Sequence, residues 1–161
     1  MILWLQKELV VLIHARQIAE HGGSAGVRDG GLLESALARA QQLHAYGDPA
    51  PDLADLAAAL AYGLARNHPF VDANKRTAHV TYRTFLELNG ADLVATEEEK
   101  YVAMLALAEG KLKESAFADW LRARLRTAPG TQVQEPQAAY RVAQRGQRRR
   151  TGVSTKHRRR R

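Results

Sequence analysis

An all-α fold, a compact bundle of about six helices followed by a disordered tail, is what three observations predict. Alanine and leucine recur throughout the chain while aromatic residues make up only 6%, a composition that favours helices over sheets. Apolar residues repeat at three- and four-residue spacing in six separate segments. No stretch alternates apolar and polar residues as a half-buried strand does.

The first segment, Ile2 to Glu20, sets Leu5, Leu9, Leu12 and Ala19 at helical spacing and ends at His21-Gly22-Gly23. A connector follows that holds glycines 22, 23, 26, 30 and 31, and it reads as a flexible flap. Asp29 can cap the second helix, which places Leu33, Ala36, Leu37 and Ala40 on one face. The third, Asp52 to Arg66, has the clearest apolar stripe, with Leu53, Leu56, Ala57, Leu60 and Leu64 in phase. It must stop near Asn67, because Pro69 disfavours helical geometry in the residue before it.

The fourth helix runs from about Ala73 to Leu88 and ends at Asn89-Gly90, a common left-handed ending. Val80, Tyr82, Phe85, Leu86 and Leu88 lie around several of its faces, which predicts that it is the central, buried helix. Thr96-Glu97-Glu98-Glu99 is a capping box that opens the fifth, through Ala108, with Gly110 after it. The sixth, Glu114 to Arg126, buries Phe117, Leu121 and Leu125.

At 161 residues the chain has room for one core, assigned to residues 1–127 as a single helical domain. From 128 onward the apolar pattern gives way to Gln, Arg, Gly and Pro, a composition expected to stay disordered because it cannot offset chain entropy. The net charge of +7 divides accordingly, −2 over residues 1–128 and +9 over residues 129–161. Arginines 148–150 and 158–161 could make weak RNA contact, and an RNA- or ribosome-binding module acting through the tail is the non-enzymatic alternative. A solvated tail is the plainer account, since no aromatic platform accompanies these arginines.

With no cysteine, disulfides, thiolate metal sites and a cysteine nucleophile are excluded, and a cytoplasmic location is expected. The apolar run Leu9 to Ile13 is too short to span a bilayer, so no membrane role is expected.

Between the third and fourth helices the segment His68-Pro69-Phe70-Val71-Asp72-Ala73-Asn74-Lys75-Arg76 gathers an imidazole, a carboxylate, an amide and two cations. It ends at a helix N-terminus, where unpaired N–H groups and about half a positive charge favour an anion. Asn74, Lys75 and Arg76 would add donors, and a phosphate chain suits them. An imidazole, titrating near ~6.5 in isolation, is the side chain here able to accept a proton at neutral pH, so His68 is the candidate general base. A single carboxylate beside phosphates is a usual way to hold Mg2+, which points to Asp72. Phe70 is expected to pack into the core and pin the loop. Taken singly, His68-Pro69 is better explained as a turn and Asp72 as an N-cap, and the functional case rests on the combination. A metal hydrolase built on His68, Asp72 and His79 lacks the HExxH spacing and a second carboxylate, and no Walker-type lysine loop occurs.

In register, these nine residues resemble the signature of the Fic family, His-Pro-Phe-x-Asp/Glu-Gly-Asn-Gly-Arg, with Ala73 and Lys75 in place of the two glycines. His79 stands where the adenylylating members have a further arginine. The Asn74-Lys75-Arg76 ending, with Gly26-Val27-Arg28-Asp29-Gly30-Gly31-Leu32-Leu33-Glu34-Ser35-Ala36-Leu37, is similar to the Doc branch of that family, and the similarity runs from residue 1 to about 127.

The resemblance implies the Fic/Doc helical fold, ATP and Mg2+ as cofactors, His68 as base, Asp72 as metal ligand, and Asn74, Lys75 and Arg76 on the phosphates. In that branch the lysine fills space that glycine leaves to the nucleotide, ATP lies reversed, and the γ-phosphoryl group is transferred. The resemblance therefore implies a protein kinase acting on a threonine of elongation factor Tu to arrest translation, with AMP transfer as the alternative. The inhibitory spacing of many Fic proteins is matched only at Thr131 and Glu135, within the expected tail, so restraint by a Phd-like antitoxin is implied instead.

Overall fold

The computed structural model describes residues 1–127. The expectations for the tail, namely its boundary, its disorder, its arginine clusters and the Thr131–Glu135 spacing, fall outside the described residues. Within them the order is α1 (Lys7–His21), α2 (Gly30–Tyr46), α3 (Leu53–Asn67), α4 (Asn74–Leu88), β1 (Ala91–Leu93), α5 (Glu97–Ala108), α6 (Glu114–Arg122) and β2 (Leu125–Thr127). The expected six-helix bundle is present, and no helix among the described residues is long and apolar enough to cross a membrane.

Local signals place most of the boundaries. Asp29 caps α2 by accepting from the Leu32 N–H, and α2 buries Leu33, Ala36, Leu37 and Ala40, the four residues of the expected stripe. Thr96 and Glu99 form the expected capping box of α5. A second box, not anticipated, opens α3, where Asp52 accepts from the Asp55 N–H while Asp55 accepts from the Asp52 N–H. Here aspartate does at both positions what serine or threonine and glutamate usually do.

Four expectations are corrected. α1 begins at Lys7 rather than Ile2, because the Asn89 amide pairs with both backbone groups of Leu3 at 2.8 and 3.0 Å and ties the N-terminal segment to the end of α4. Its buried face is Val10, Ile13 and His14, while Leu9, Leu12 and Ala19 face outward and Leu12 is 65% exposed.

The central helix is α3, not α4. It buries ten of its fifteen residues, most of them alanine, against six of fifteen in α4. Small side chains let neighbours close in from several directions, and α3 packs against α2, α4, α5 and α6. Gly63 marks the closest approach, since a Cβ there would lie 3.1 Å from the Ala36 carbonyl. α6 ends at Arg122, and Leu125–Thr127 leaves the helix to pair antiparallel with Ala91–Leu93, Leu93 opposite Leu125. These two three-residue strands were not expected, because neither is long enough to show alternation.

Candidate active site

The loop between α3 and α4 is anchored by its aromatic residue. Phe70 is 1% exposed, and the ring of the buried His14 stacks on it with centroids 3.9 Å apart and planes 5° from parallel. The Nε2 of His14 lies 2.9 Å from the Asp72 carbonyl; a carbonyl only accepts, so His14 carries its proton on that nitrogen. The Asn74 amide closes the loop from the other side, accepting from the Phe70 N–H at 2.9 Å and donating to the Phe70 carbonyl at 3.0 Å.

The glycine-rich connector is bonded to this loop instead of swinging free as a flap. Val27 forms an antiparallel bridge with Phe70, the Val71 N–H donates to Gly26, and the Arg28 and Asp29 N–H groups donate to Pro69. Gly23 passes so close that a Cβ on it would lie 2.6 Å from the Asp72 Oδ2.

His68, Asp72, Lys75 and Arg76 line one cleft of about 510 Å3. His68 is exposed on its rim, with its backbone in the left-handed region at φ 48° and ψ 55°. The Asp72 carboxylate accepts from the Ala73 N–H at 2.7 Å and the Ser24 N–H at 3.1 Å. Those bonds, with Arg76 and His14 nearby, hold its pKa below the ordinary carboxylate value and keep it ionised at neutral pH. Asp72 is not the helix cap. That position belongs to Ala73, at φ 59°, and no side chain caps the first turn of α4.

Lys75 is exposed at that open turn. Arg76 lines the cleft while donating to the carbonyls of Gln17 at 3.3 Å and Gly22 at 2.9 Å at the end of α1. The structure thus brings the expected residues together but gives Asn74 another task. Its side-chain oxygen and one amide hydrogen are taken up by Phe70, so what it chiefly offers an anion is its backbone N–H in the first turn of α4.

The far wall comes from α5, where Tyr101, Met104 and Leu105 present an apolar surface. His79 also lines the cleft. Burial, with Arg83 beside it, pushes its pKa down to about 4, so it is neutral. Its Nε2 faces the Arg83 guanidinium at 3.3 Å, and Arg83 is held by both oxygens of Glu97 at 3.0 and 3.1 Å. Among the described residues no three of His, Asp and Glu converge as metal ligands, which leaves a hydrolase centre on His68, Asp72 and His79 without support.

Sequence reasoning missed His14, Arg28, Ser24 and the α5 wall. A histidine in phase with Val10 and Ile13 was the one available signal, because a buried imidazole needs a partner. The others act across the fold and leave no local pattern.

Comparison with known proteins agrees with the motif. The model of the Fic/DOC family matches residues 4–86, which include the whole loop. "Toxin Doc" of Mycolicibacterium smegmatis (strain ATCC 700084 / mc(2)155) is 55% identical over 75 residues, 46% of this chain and 57% of that relative. "Protein kinase doc" of Escherichia phage P1 is 34% identical over 118 residues, 73% of this chain and 92% of that protein. The cleft, its loop and these matches lead to one conclusion: the chain belongs to the Fic/DOC family.

Proposed function

We propose that this chain is the toxin of a toxin–antitoxin pair, a protein kinase that moves the γ-phosphoryl group of ATP to a threonine hydroxyl of elongation factor Tu and so blocks translation. A Phd-like antitoxin restrains it. The names of the two relatives support the toxin and kinase parts of this reading. The target and the antitoxin come from the family resemblance.

The observation that carries the proposal is the meeting of His68, Asp72, Lys75 and Arg76 on one cleft at the uncapped start of α4. His68 accepts the proton of the target hydroxyl as the hydroxyl oxygen bonds to the γ-phosphorus. The bond from that phosphorus to the bridging oxygen breaks, and ADP is the leaving group. Lys75, Arg76 and the first-turn N–H groups of α4 stabilise the phosphate charge, which is most of what phosphoryl transfer asks of a protein. The apolar wall of Tyr101, Met104 and Leu105 suits the nucleoside and excludes water.

Asp72 fits a magnesium ion. Its carboxylate is ionised, and each oxygen spends one lone pair on an N–H and keeps another. When bound, the ion neutralises phosphate charge and orients the chain of phosphates. Intact mass of elongation factor Tu after incubation with the protein, ATP and Mg2+ tests the reading. A gain of one phosphate, lost with His68→Ala, is expected; a gain of one AMP makes this an adenylyltransferase, and no gain removes the assigned target.

A further inference from the structure

A helix leaves its last carbonyls without intrahelical donors, and the residues after it usually supply N–H groups to them. α3 cannot end that way, because Pro69 follows His68 and has no N–H to give. His68 also stands in the left-handed region, where a non-glycine residue is kept only by surroundings that overdetermine it. Arg28, forty residues away, supplies what is missing. Its Nε donates to the His68 carbonyl at 2.7 Å and its Nη2 to the Asn67 carbonyl at 3.0 Å. The guanidinium fork spans two successive carbonyls, and its charge sits at the negative end of the α3 dipole. The backbone N–H groups of Arg28 and Asp29 take the next carbonyl, that of Pro69, at 2.8 and 3.1 Å.

We infer that Arg28 is a positioning residue for His68: by gripping the carbonyls of Asn67 and His68 it fixes the left-handed turn that turns the imidazole into the cleft. The inference rests on the reading of His68 as the general base. Without the grip, residue 68 relaxes toward ordinary backbone geometry and carries its ring off the target hydroxyl. Asp72 and Arg76 are held by other contacts, Lys75 is carried on the first turn of α4, and all three keep their places on the nucleotide. Arg28 is exposed and outside the core, so its replacement leaves the packing of the bundle intact.

Arg28→Met, which keeps the apolar stem and removes the donors, is the direct test. A displacement of about 1 Å at a reacting group costs up to roughly a hundredfold in rate, so kcat for phosphoryl transfer falls about tenfold to a hundredfold while the KM for ATP stays within about twofold. Arg28→Lys, with no fork to span two carbonyls, falls between. In a His68→Ala background Arg28→Met costs nothing further, because both changes remove one function. An unchanged kcat, a loss carried by KM, or a loss that adds in full to that of His68→Ala overturns the inference.

One readout needs no transfer at all. The ring resonances of His68 shift in Arg28→Met, while those of His44 on α2, packed against Trp4, hold. If the wild type transfers nothing, the proposed reaction fails and this comparison still decides the role of Arg28. An unmoved His68 ring ends that role whatever the reaction is.

Discussion

α3 and α4 meet at the cleft and begin in opposite ways. The start of α3 is closed twice, by the reciprocal Asp52–Asp55 box and by Arg122 of α6, which donates to Asp52 at 2.6 Å and to Asp55 at 2.8 Å. The start of α4 has no side-chain cap, its N-cap residue is an alanine at φ 59°, and Lys75 and Arg76 surround it. The first N-terminus spends its donors on the fold. The second leaves its first-turn donors without a side-chain cap, facing the cleft, and the loop before it is secured by other means: Phe70, His14 and the connector.

If that contrast holds, changes at the two ends separate rate from stability. The largest expected effect is His68→Ala, which lowers the transfer rate by about 10² to 10⁴ and leaves the unfolding free energy nearly unchanged, as paired kinetic and denaturant measurements will read. Phe70→Ala affects both, because the ring it removes is part of the core as well as the anchor of the loop. It costs about 3–5 kcal/mol of stability, measured by urea unfolding. Arg122→Ala removes the clamp on α3 and costs about 1 kcal/mol, since its partners are partly exposed, with transfer per folded molecule untouched. The smallest effect is Ala73→Gly, which relieves an L-residue at positive φ and raises stability by up to about 1 kcal/mol in thermal melts.

Acid separates the regions as well. The bonds to Arg122 hold Asp52 down to about 2 from 3.8, so the stability it contributes is complete above pH 3.8 and is lost as pH falls toward 2. Burial holds His79 down to about 4 from 6.5. Between those values the unfolded chain binds its proton more readily, so stability falls as pH drops from 6.5 to about 4. Urea midpoints against pH should show His79→Gln flattening only the upper window and Arg122→Ala only the lower one.

What the sequence made legible was local. Asp29, Thr96 and Glu99 announce helix starts because a cap acts within one turn, and the stripe of α2 is correct because one face meets one neighbour. The face of α1 was misjudged because its register is set by the stacking of His14 on Phe70, fifty-six residues away in sequence, rather than by its leucines. β1 and β2 pair residues 91–93 with 125–127, a match that no short window contains. In the site, the motif supplied His68, Asp72, Lys75 and Arg76, since they share one nine-residue segment. The parts contributed by α1, the connector and α5 became visible only once the helices were packed. Asn74 shows the limit of the motif: it marked the residue, and the fold gave its side chain to Phe70.

The most direct test of the central claim is to supply the protein and elongation factor Tu with ATP labelled at either the α or the γ phosphorus and follow the label. Label from the γ position alone should appear on a threonine, and it should vanish with His68→Ala. Retention of the α label would contradict the account, because the site would then be transferring AMP.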